Sequence, residues 1–281
     1  MPTFDTPEPI SVQVDLVVGD VLILAGDRAD TVVDVRPSDP SADRDVRTAE
    51  QTRVEYTDGR LLIRAPRQKK LGVFGKTGSV DVSIELPAGS RVRGDTAAGT
   101  YRCTGRLGEC RLKTSAGALA VEHAGPVDLH TAAGPITVDR VDGDAEVTTS
   151  TGQLRLAQVT GNAVVKNSNG ATRIGTVGGD LRRAPANGDI VASRVDGAVS
   201  AATANGDVRI DGIGRGPVSV KTARGELEIG VLGDAAVWLD LHTQFGTVHN
   251  RIPVTDAPGD GERTVEVRAR TSFGDIIVRR G

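Results

Sequence analysis

The sequence contains few of the large residues that usually anchor a globular core. Only 2% of the 281 residues are aromatic, with one Trp, two Tyr and four Phe, and Met occurs once. A core without such anchors has to be assembled from many small and similar layers, which suits short strands and tight turns better than packed helices. Glycine, by contrast, occurs 35 times, which indicates frequent turns.

Long apolar runs, a strong net charge and a cysteine framework are also missing. The longest apolar runs, such as Val21–Ala25, are far shorter than the ~20 residues of a membrane-spanning helix. The net charge is −3, and the 34 basic and 37 acidic residues are interspersed, so no basic stripe for nucleic acid is apparent. Two cysteines, Cys103 and Cys110, are too few for a disulfide framework or a zinc site.

The first ten residues carry three prolines, Asp5 and Glu8, and lack the basic and apolar regions of a signal peptide. We therefore expect a cytoplasmic protein with no integral membrane segment and no nucleic-acid partner. No motif in the sequence implies a cofactor.

A glycine recurs along the chain at intervals close to 18 residues. Gly152, Gly170, Gly188 and Gly206 each follow the one before by 18 residues. We call these corner glycines and count positions from them. The full series is Gly99, Gly117, Gly134, Gly152, Gly170, Gly188, Gly206, Gly225, Gly246 and Gly274.

Apolar residues alternate with polar ones after each corner glycine. In one unit, Leu154 and Leu156 flank Arg155, and the same alternation recurs in most of the others. Such a period of two indicates a strand with one buried face. Thr stands three residues before the corner glycine in eight of the ten units, which predicts a stacked column of β-branched residues whose hydroxyl groups bond between layers. The corner glycine is expected to supply a turn with positive φ.

Each unit is thus predicted to be strand, turn, strand, turn. Identical residue types at fixed offsets favour parallel stacking in register over a sandwich of hairpins. We predict an all-β protein, a right-handed parallel β-solenoid (β-helix) of ~18-residue coils with irregular capping segments at both ends. Residues 1–93 should form an N-terminal β cap with leading coils, and residues 94–281 the regular repeats with a C-terminal cap, in a single continuous domain. Charged or polar loops are expected at Pro37–Arg53, Arg64–Lys76 and Pro253–Arg263.

The most suggestive group of polar residues lies beside three successive corner glycines. In a solenoid the asparagines would stack in one column and the carboxylates in the next, at roughly 5 Å spacing. Closely spaced carboxylates repel unless they are neutralised, by Ca²⁺ for example. The alternative is an asparagine ladder at a turn, with solvated carboxylates offset by Arg209, Arg224 or Lys221. The candidate ligand-binding residues are Asn169, Asn187, Asp189, Asn205, Asp207 and Glu226.

Other patterns give weaker indications. Arg155, Arg173 and Arg209 could form a basic stripe for an acidic partner or polysaccharide, or simply a solvated face. Cys103 and Cys110 fall on inward columns and are expected to be buried free thiols. The regular repeats lack the long loops from which β-helix lyases and hydrolases build a cleft, so we predict no catalytic residues and no enzyme activity.

Several stretches resemble a known group of proteins. They are V-V-G-D-V around Gly19, V-S-I-E-L-P-A-G-S-R-V from Val82, the chain of T-x-x-G units and the closing T-S-F-G-D-I. Over nearly its whole length the chain resembles the bacterial β-strand-repeat proteins known as "putative adhesins", a domain of unknown function. The resemblance implies an adhesin-like architecture and carries no catalytic residues.

We therefore expect a non-catalytic scaffold or protein-interaction protein whose partner is a protein or a polysaccharide. The alternative is a glycan- or calcium-binding β-helix protein that uses the Asn/Asp ladder.

Overall fold

The computed structural model describes residues 1–66, 78–183, 187–233, 235–253 and 264–281. Most of the predicted loop Arg64–Lys76, and residues 254–263 of the predicted insertion, lie outside this part. The chain divides into two compact units, Met1–Arg140 and Val141–Gly281.

The first unit contains a helix and thirteen strands among its described residues, the last strand ending at the unit boundary. They are β1 (Thr3–Asp5), β2 (Ser11–Val18), β3 (Val21–Gly26), β4 (Asp30–Pro37), α1 (Asp43–Gln51), β5 (Arg53–Thr57), β6 (Arg60–Arg64), β7 (Val80–Pro87), β8 (Arg91–Ala98), β9 (Tyr101–Arg106), β10 (Cys110–Ala116), β11 (Leu119–Ala124), β12 (Val127–Ala133) and β13 (Ile136–Val141).

These strands form two layers between which the chain alternates. One layer has the order β1-β4-β7-β3-β9-β11-β13 and the other β5-β6-β2-β8-β10-β12. The pairs β1–β4, β4–β7 and β5–β6 are antiparallel, whereas the pairs from β3 and β2 onward, such as β3–β9 and β2–β8, are parallel.

The second unit contains strands only, as far as it is described. They are β14 (Ala145–Thr151), β15 (Leu154–Val159), β16 (Ala163–Asn169), β17 (Thr172–Val177), β18 (Leu181–Arg183), β19 (Ile190–Val195), β20 (Val199–Asn205), β21 (Val208–Ile213), β22 (Gly216–Arg224), β23 (Leu227–Val231), β24 (Ala236–Phe245), β25 (Val248–Asn250), β26 (Thr264–Phe273) and β27 (Ile276–Arg280).

Its two layers have the orders β15-β17-β19-β21-β23-β27-β25 and β14-β16-β18-β20-β22-β26-β24. The register keeps equivalent residues side by side, as in Leu154 beside Thr172 and Ile190 beside Val208. The inward residues are buried, with Leu154 1% and Val208 0% exposed. The predicted all-β class, parallel pairing and inward columns are confirmed.

The corner glycines allow successive layers to approach closely. Gly117 has φ +145°, and a Cβ added there would overlap the carbonyl oxygen of Gly99. Thr131 Oγ1 donates a hydrogen bond of 3.1 Å to the carbonyl of Gly117. Equivalent bonds run from Thr114 to Gly99, Thr203 to Gly188, Thr222 to Gly206, Thr271 to Gly225 and Thr243 to Gly274. The predicted positive φ and the threonine column that bonds between layers are confirmed.

Tyr101 is the largest fully buried side chain, and a glycine opposite makes room for it. A Cβ on Gly94 would lie 2.5 Å from the Tyr101 ring. The Tyr101 hydroxyl bonds to Thr96 Oγ1 at 2.6 Å, and burial raises the pKa of Tyr101. The adjoining coil has leucine at both equivalent positions, Leu112 and Leu119.

The segment predicted as a charged loop at Pro37–Arg53 contains the helix α1, so that prediction was wrong. Its buried face is polar and consists of Asp45 and Thr48, so an apolar period could not reveal it. Asp45 Oδ1 accepts a hydrogen bond of 3.1 Å from the amide of Ser79. Asp43 and Asp45 lie in the first turn, where acidic residues favour a helix.

The outer coils are not stacked in chain order. In the second unit, β26 and β27 lie between β22/β23 and β24/β25, so the outermost coil is formed by earlier residues than the coil beneath it. In the first unit, β2 lies between β6 and β8. The steady glycine series gave no indication of this exchange.

The substitution Gly94→Leu should destabilise the fold by about 1–3 kcal/mol, because the added side chain overlaps the Tyr101 ring. The double variant Gly94→Leu/Tyr101→Leu reproduces the leucine pair of the adjoining coil and should recover most of that loss. Urea unfolding measures both. A double variant no more stable than Gly94→Leu would contradict the pairing.

The predicted buried free thiols are confirmed, with Cys103 2% and Cys110 0% exposed. The pKa of Cys110 is raised chiefly by the hydrogen bond with the Cys103 thiol and further by burial. Both thiols are buried out of reach of the reagent, and the raised pKa of Cys110 also keeps that residue from forming the reactive thiolate. We therefore expect neither cysteine to react with Ellman's reagent at pH 8 until guanidinium unfolds the chain. Ser200→Cys, at an exposed position, is the reactive control; prompt labelling of the native wild type would contradict the burial.

Candidate functional site

The three predicted ladder asparagines stack on one another in the second unit. Asn187 Nδ2 donates to Asn169 Oδ1 at 3.3 Å, and Asn205 Nδ2 donates to Asn187 Oδ1 at 3.0 Å. Backbone bridges join the same residues in parallel. All three are exposed at the coil corner. Sequence reasoning therefore placed the asparagine column correctly.

The neighbouring carboxylates cap the backbone of the next coil. Asp189 Oδ1 accepts from the amide of Asp207 at 3.0 Å, and Asp207 Oδ1 accepts from the amide of Glu226 at 2.8 Å. One oxygen of each aspartate is thus bonded to a backbone amide, which fixes the spacing of these carboxylates. Arg209, one of the three basic residues suggested to offset them, bonds instead to Asp211 at 2.7 Å and Glu228 at 3.2 Å. The hydrogen bond with Asp211 raises the pKa of Arg209.

A second ladder of the same kind, which the sequence analysis missed, lies at another turn of the second unit. Asp144 Oδ1 accepts from the amide of Asn162 at 2.7 Å, Asn162 Oδ1 from that of Asp180 at 2.9 Å, and Asp180 Oδ1 from that of Ala198 at 2.9 Å. The available signal was an Asp or Asn that directly follows a glycine at 18-residue intervals in three successive repeats, Gly143-Asp144, Gly161-Asn162 and Gly179-Asp180.

Metal binding has little support among the described residues, where no group of three His, Cys, Asp or Glu side chains could hold an ion. The acidic side chains of the first ladder, Asp189, Asp207 and Glu226, are exposed. The outer face of this corner can therefore offer amide groups and carboxylate oxygens to a polar ligand in solution.

Of the predicted arginine stripe, Arg155 and Arg173 are cross-strand neighbours on β15 and β17. Val191 on β19 separates Arg173 from Arg209, and Arg209 already has two acidic partners. The stripe is therefore interrupted and partly neutralised.

A groove in the first unit brings together residues that are distant in sequence. Its floor is the outward face of β2, with Ser11 and Gln13. One wall is formed by Arg60 and Leu62 of β6, the other by Arg91 and Arg93 of β8. We call these six residues the arginine trough. Because β6 and β8 are the two neighbours of β2, the walls stand roughly 10 Å apart.

The trough belongs to an open groove of about 930 Å³, which Glu55, Asp58, Glu109 and Arg111 also line. Arg111 pairs with Glu109 at 2.7 Å. Within the described part of the chain, by contrast, Arg60, Arg91 and Arg93 form no ion pair, and all three are exposed. Three guanidinium groups therefore face solvent around a hydrogen-bonding floor.

Sequence reasoning missed the trough because three separated segments build it. Its only local signals are the alternations Ser11-x-Gln13 and Arg91-x-Arg93, which look like any solvated strand face. The pairing of β2 with both β6 and β8 turns them into one surface. Across the described ranges, no helix has both the length and the apolar character needed to cross a membrane.

Comparison with solved structures gives matches of low identity. A "putative cell adhesion protein" from Clostridium sporogenes is 12% identical, with a TM-score of 0.27 and coverage of 100% of this chain and 98% of that one. A "putative adhesin" from Bacteroides fragilis is 12% identical, with a TM-score of 0.36 and coverage of 99% and 95%. A "putative lipid binding protein" from Parabacteroides distasonis is 14% identical, with a TM-score of 0.32 and coverage of 98% and 95%. No curated protein matches the chain.

The family model described as Toastrack DUF4097 matches residues 10–279. This range includes the leading strands, the corner-glycine repeats and the closing T-S-F-G-D-I, the stretches that carry the resemblance noted in the sequence. Since the match covers nearly the whole sequence, the chain belongs to the Toastrack DUF4097 family.

Proposed function

We propose that the protein is a non-catalytic, adhesin-like interaction protein that holds an extended anionic partner along the arginine trough. The observation that carries this proposal is the set of three exposed guanidinium groups, Arg60, Arg91 and Arg93, on the two walls of one groove. No ion pair within the described residues engages them, and they outnumber the two carboxylates of the groove that are not paired with Arg111, those of Glu55 and Asp58.

The trough suits a polymer better than a compact ligand. It runs along β2 and is open to solvent, and its floor offers the Ser11 hydroxyl and the Gln13 amide as hydrogen-bonding groups. Guanidinium groups bind carboxylates and sulfates through two parallel hydrogen bonds. Of the two partner classes expected from the sequence, we propose the polysaccharide, in an acidic form.

The absence of catalysis is part of the proposal. Its support is that the carboxylates at the coil turns accept hydrogen bonds from the backbone. Asp144, Asp180, Asp189 and Asp207 each hold a backbone amide of the next coil. A general acid or base needs to be free to exchange protons with a substrate, and these groups serve the stacking of coils instead.

A second candidate function is glycan binding at the Asn/Asp ladder of Asn169, Asn187, Asp189, Asn205, Asp207 and Glu226. Its support is that the amides and carboxylates repeat in the same orientation on successive coils and are exposed. A sugar chain lying across the coils could accept and donate hydrogen bonds at each step. Calcium binding at the same carboxylates is the alternative that the calcium titration below distinguishes from glycan binding.

We also propose the finer architecture expected from the sequence. The parallel layers would be the walls of a right-handed solenoid of ~18-residue coils, because parallel crossovers are almost always right-handed. The division into residues 1–93 and 94–281 within a single continuous domain, and the cytoplasmic location, stay predictions from the sequence.

The trough is tested by titrating the full chain with polygalacturonate and, as the neutral counterpart, dextran. We expect binding to polygalacturonate that weakens as salt is raised, because exposed charges are screened. Arg93→Ser should lower the affinity about five- to tenfold, the loss of roughly one charge-assisted contact. Arg155→Ser, which removes an exposed arginine outside the trough, is the matched control. Equal affinity of wild type and Arg93→Ser, or equal binding to dextran, would refute the proposal.

The ladder is tested by thermal melting. Asp207→Ala removes the acceptor for the Glu226 amide and should cost about 1 kcal/mol, whereas Asp207→Asn keeps an acceptor oxygen and should cost less. Because a backbone amide already occupies one oxygen of Asp207, we expect millimolar calcium to leave the Tm unchanged. A Tm that rises with calcium in the wild type but not in Asp207→Ala would instead establish a cation site.

A further inference from the structure

The outermost coil of the second unit leaves its inward face partly uncovered. In β26, the coil beneath, Val265, Val267 and Ala269 are 0% exposed. The residues beside them on β24, Val237, Leu239 and Leu241, are all only half-buried. The core columns therefore continue into this coil, and no layer of described residues covers them there.

Large apolar side chains gather at the same end. Trp238 is 55% exposed, Phe245 65% and Val248 40%. The rings of Phe245 and Phe273 stack with their centroids 4.9 Å apart, and the guanidinium of Arg268 lies 5.7 Å from the Trp238 ring centroid. Exposed apolar clusters of this kind are typical of association surfaces.

Strands β24 and β25 also end their layers. Among the described residues, β24 pairs only with β26, and β25 only with β27. One edge of the ten-residue β24 thus has no strand partner within the described residues. A long edge strand with unpaired backbone groups is a template for pairing with another strand.

The first unit ends its layers differently. Its outermost strands β1 and β5 are short and join their neighbours in antiparallel pairs. Phe4 of β1 and Tyr56 of β5, one from each layer, contact each other there, with ring centroids 5.1 Å apart. Among the described residues, a long edge strand of this kind is therefore β24 of the second unit. A second copy of this chain would pair with it through its own β24, and an interface in which the same strand pairs with itself is that of a two-fold dimer.

The sequence of β24 is compatible with pairing to itself. In an antiparallel pair centred on Leu241, Asp240 of each copy lies opposite His242 of the other, and Leu239 lies opposite Thr243. Centring on Asp240 would bring two carboxylates face to face, which destabilises a sheet pair. The Leu241-centred register places no like charges opposite each other, and each Asp240, which already pairs with Arg270 at 3.2 Å, faces a histidine instead of a second carboxylate.

We propose that two copies of this chain associate through β24, which pairs antiparallel across a two-fold axis at Leu241. The pairing satisfies the open backbone edge and covers the half-buried residues Val237, Leu239 and Leu241. It is independent of the arginine trough, which lies on the other unit.

Sedimentation equilibrium of the full chain tests this association. We expect a dimer at roughly 10 µM, corresponding to a Kd in the micromolar range or below. Leu241→Lys places two ammonium groups together at the axis and should give a monomer. Ser200→Lys, with the same added charge at an exposed position on β20, should remain a dimer. Melting curves of both variants verify that they fold.

A second set of variants, which changes the charges opposite each other across the pair, tests the same contact without Leu241→Lys. Asp240→Lys breaks the pair with Arg270 and should weaken association, whereas Asp240→Lys/His242→Glu places a lysine of each copy opposite a glutamate of the other and should associate about tenfold more tightly than Asp240→Lys alone. A wild type that is monomeric across the concentration range, or a folded Leu241→Lys that stays dimeric, would overturn the proposal. So would a double variant as weak as the single one.

Discussion

The structure depends on how closely the corners of successive coils approach one another. At Gly117 there is no room for a Cβ, because the carbonyl of Gly99 occupies its place. A threonine hydroxyl then binds such a glycine carbonyl from the adjoining coil, as Thr131 binds Gly117. The two residue types act together: glycine permits the close contact, and threonine donates a hydrogen bond to the glycine carbonyl that lies in it. Because the coils are fixed in register at this corner, both strands of each coil stay in register as well. Equivalent inward residues therefore stack in columns.

This local rule explains which parts of the fold could be predicted. Corner glycines, the threonine column and alternating apolar residues repeat in the sequence. Each repeat therefore predicts the same corner contact and the same buried strand face. Asn167 replaces the threonine in one coil, and its amide nitrogen still donates to a corner-glycine carbonyl, that of Gly152, at 3.2 Å. The asparagine ladder was predictable for the same reason, since a residue beside the corner has the same neighbour in every coil.

Features that do not repeat could not be predicted in this way. Helix α1 buries an aspartate and a threonine rather than an apolar stripe, so its period is invisible to hydrophobicity. The arginine trough exists only because β2 pairs with both β6 and β8, strands from distant segments. Arg183 occupies an inward position and is 3% exposed, and burial lowers its pKa. Its guanidinium donates to the carbonyl of Ala202 at 2.9 Å. An inward arginine contradicts the pattern on which the columns were assigned.

The exchanged order of the last two coils changes how the second unit would come apart. A stack of repeats usually frays one coil at a time from its free end, since each coil contacts only its neighbours. Here the strands that come last along the chain, β26 and β27, are each held between two other strands. A force applied at Gly281 therefore has to break contacts on both sides of a coil at once. We therefore expect these strands to detach in one larger step and not coil by coil.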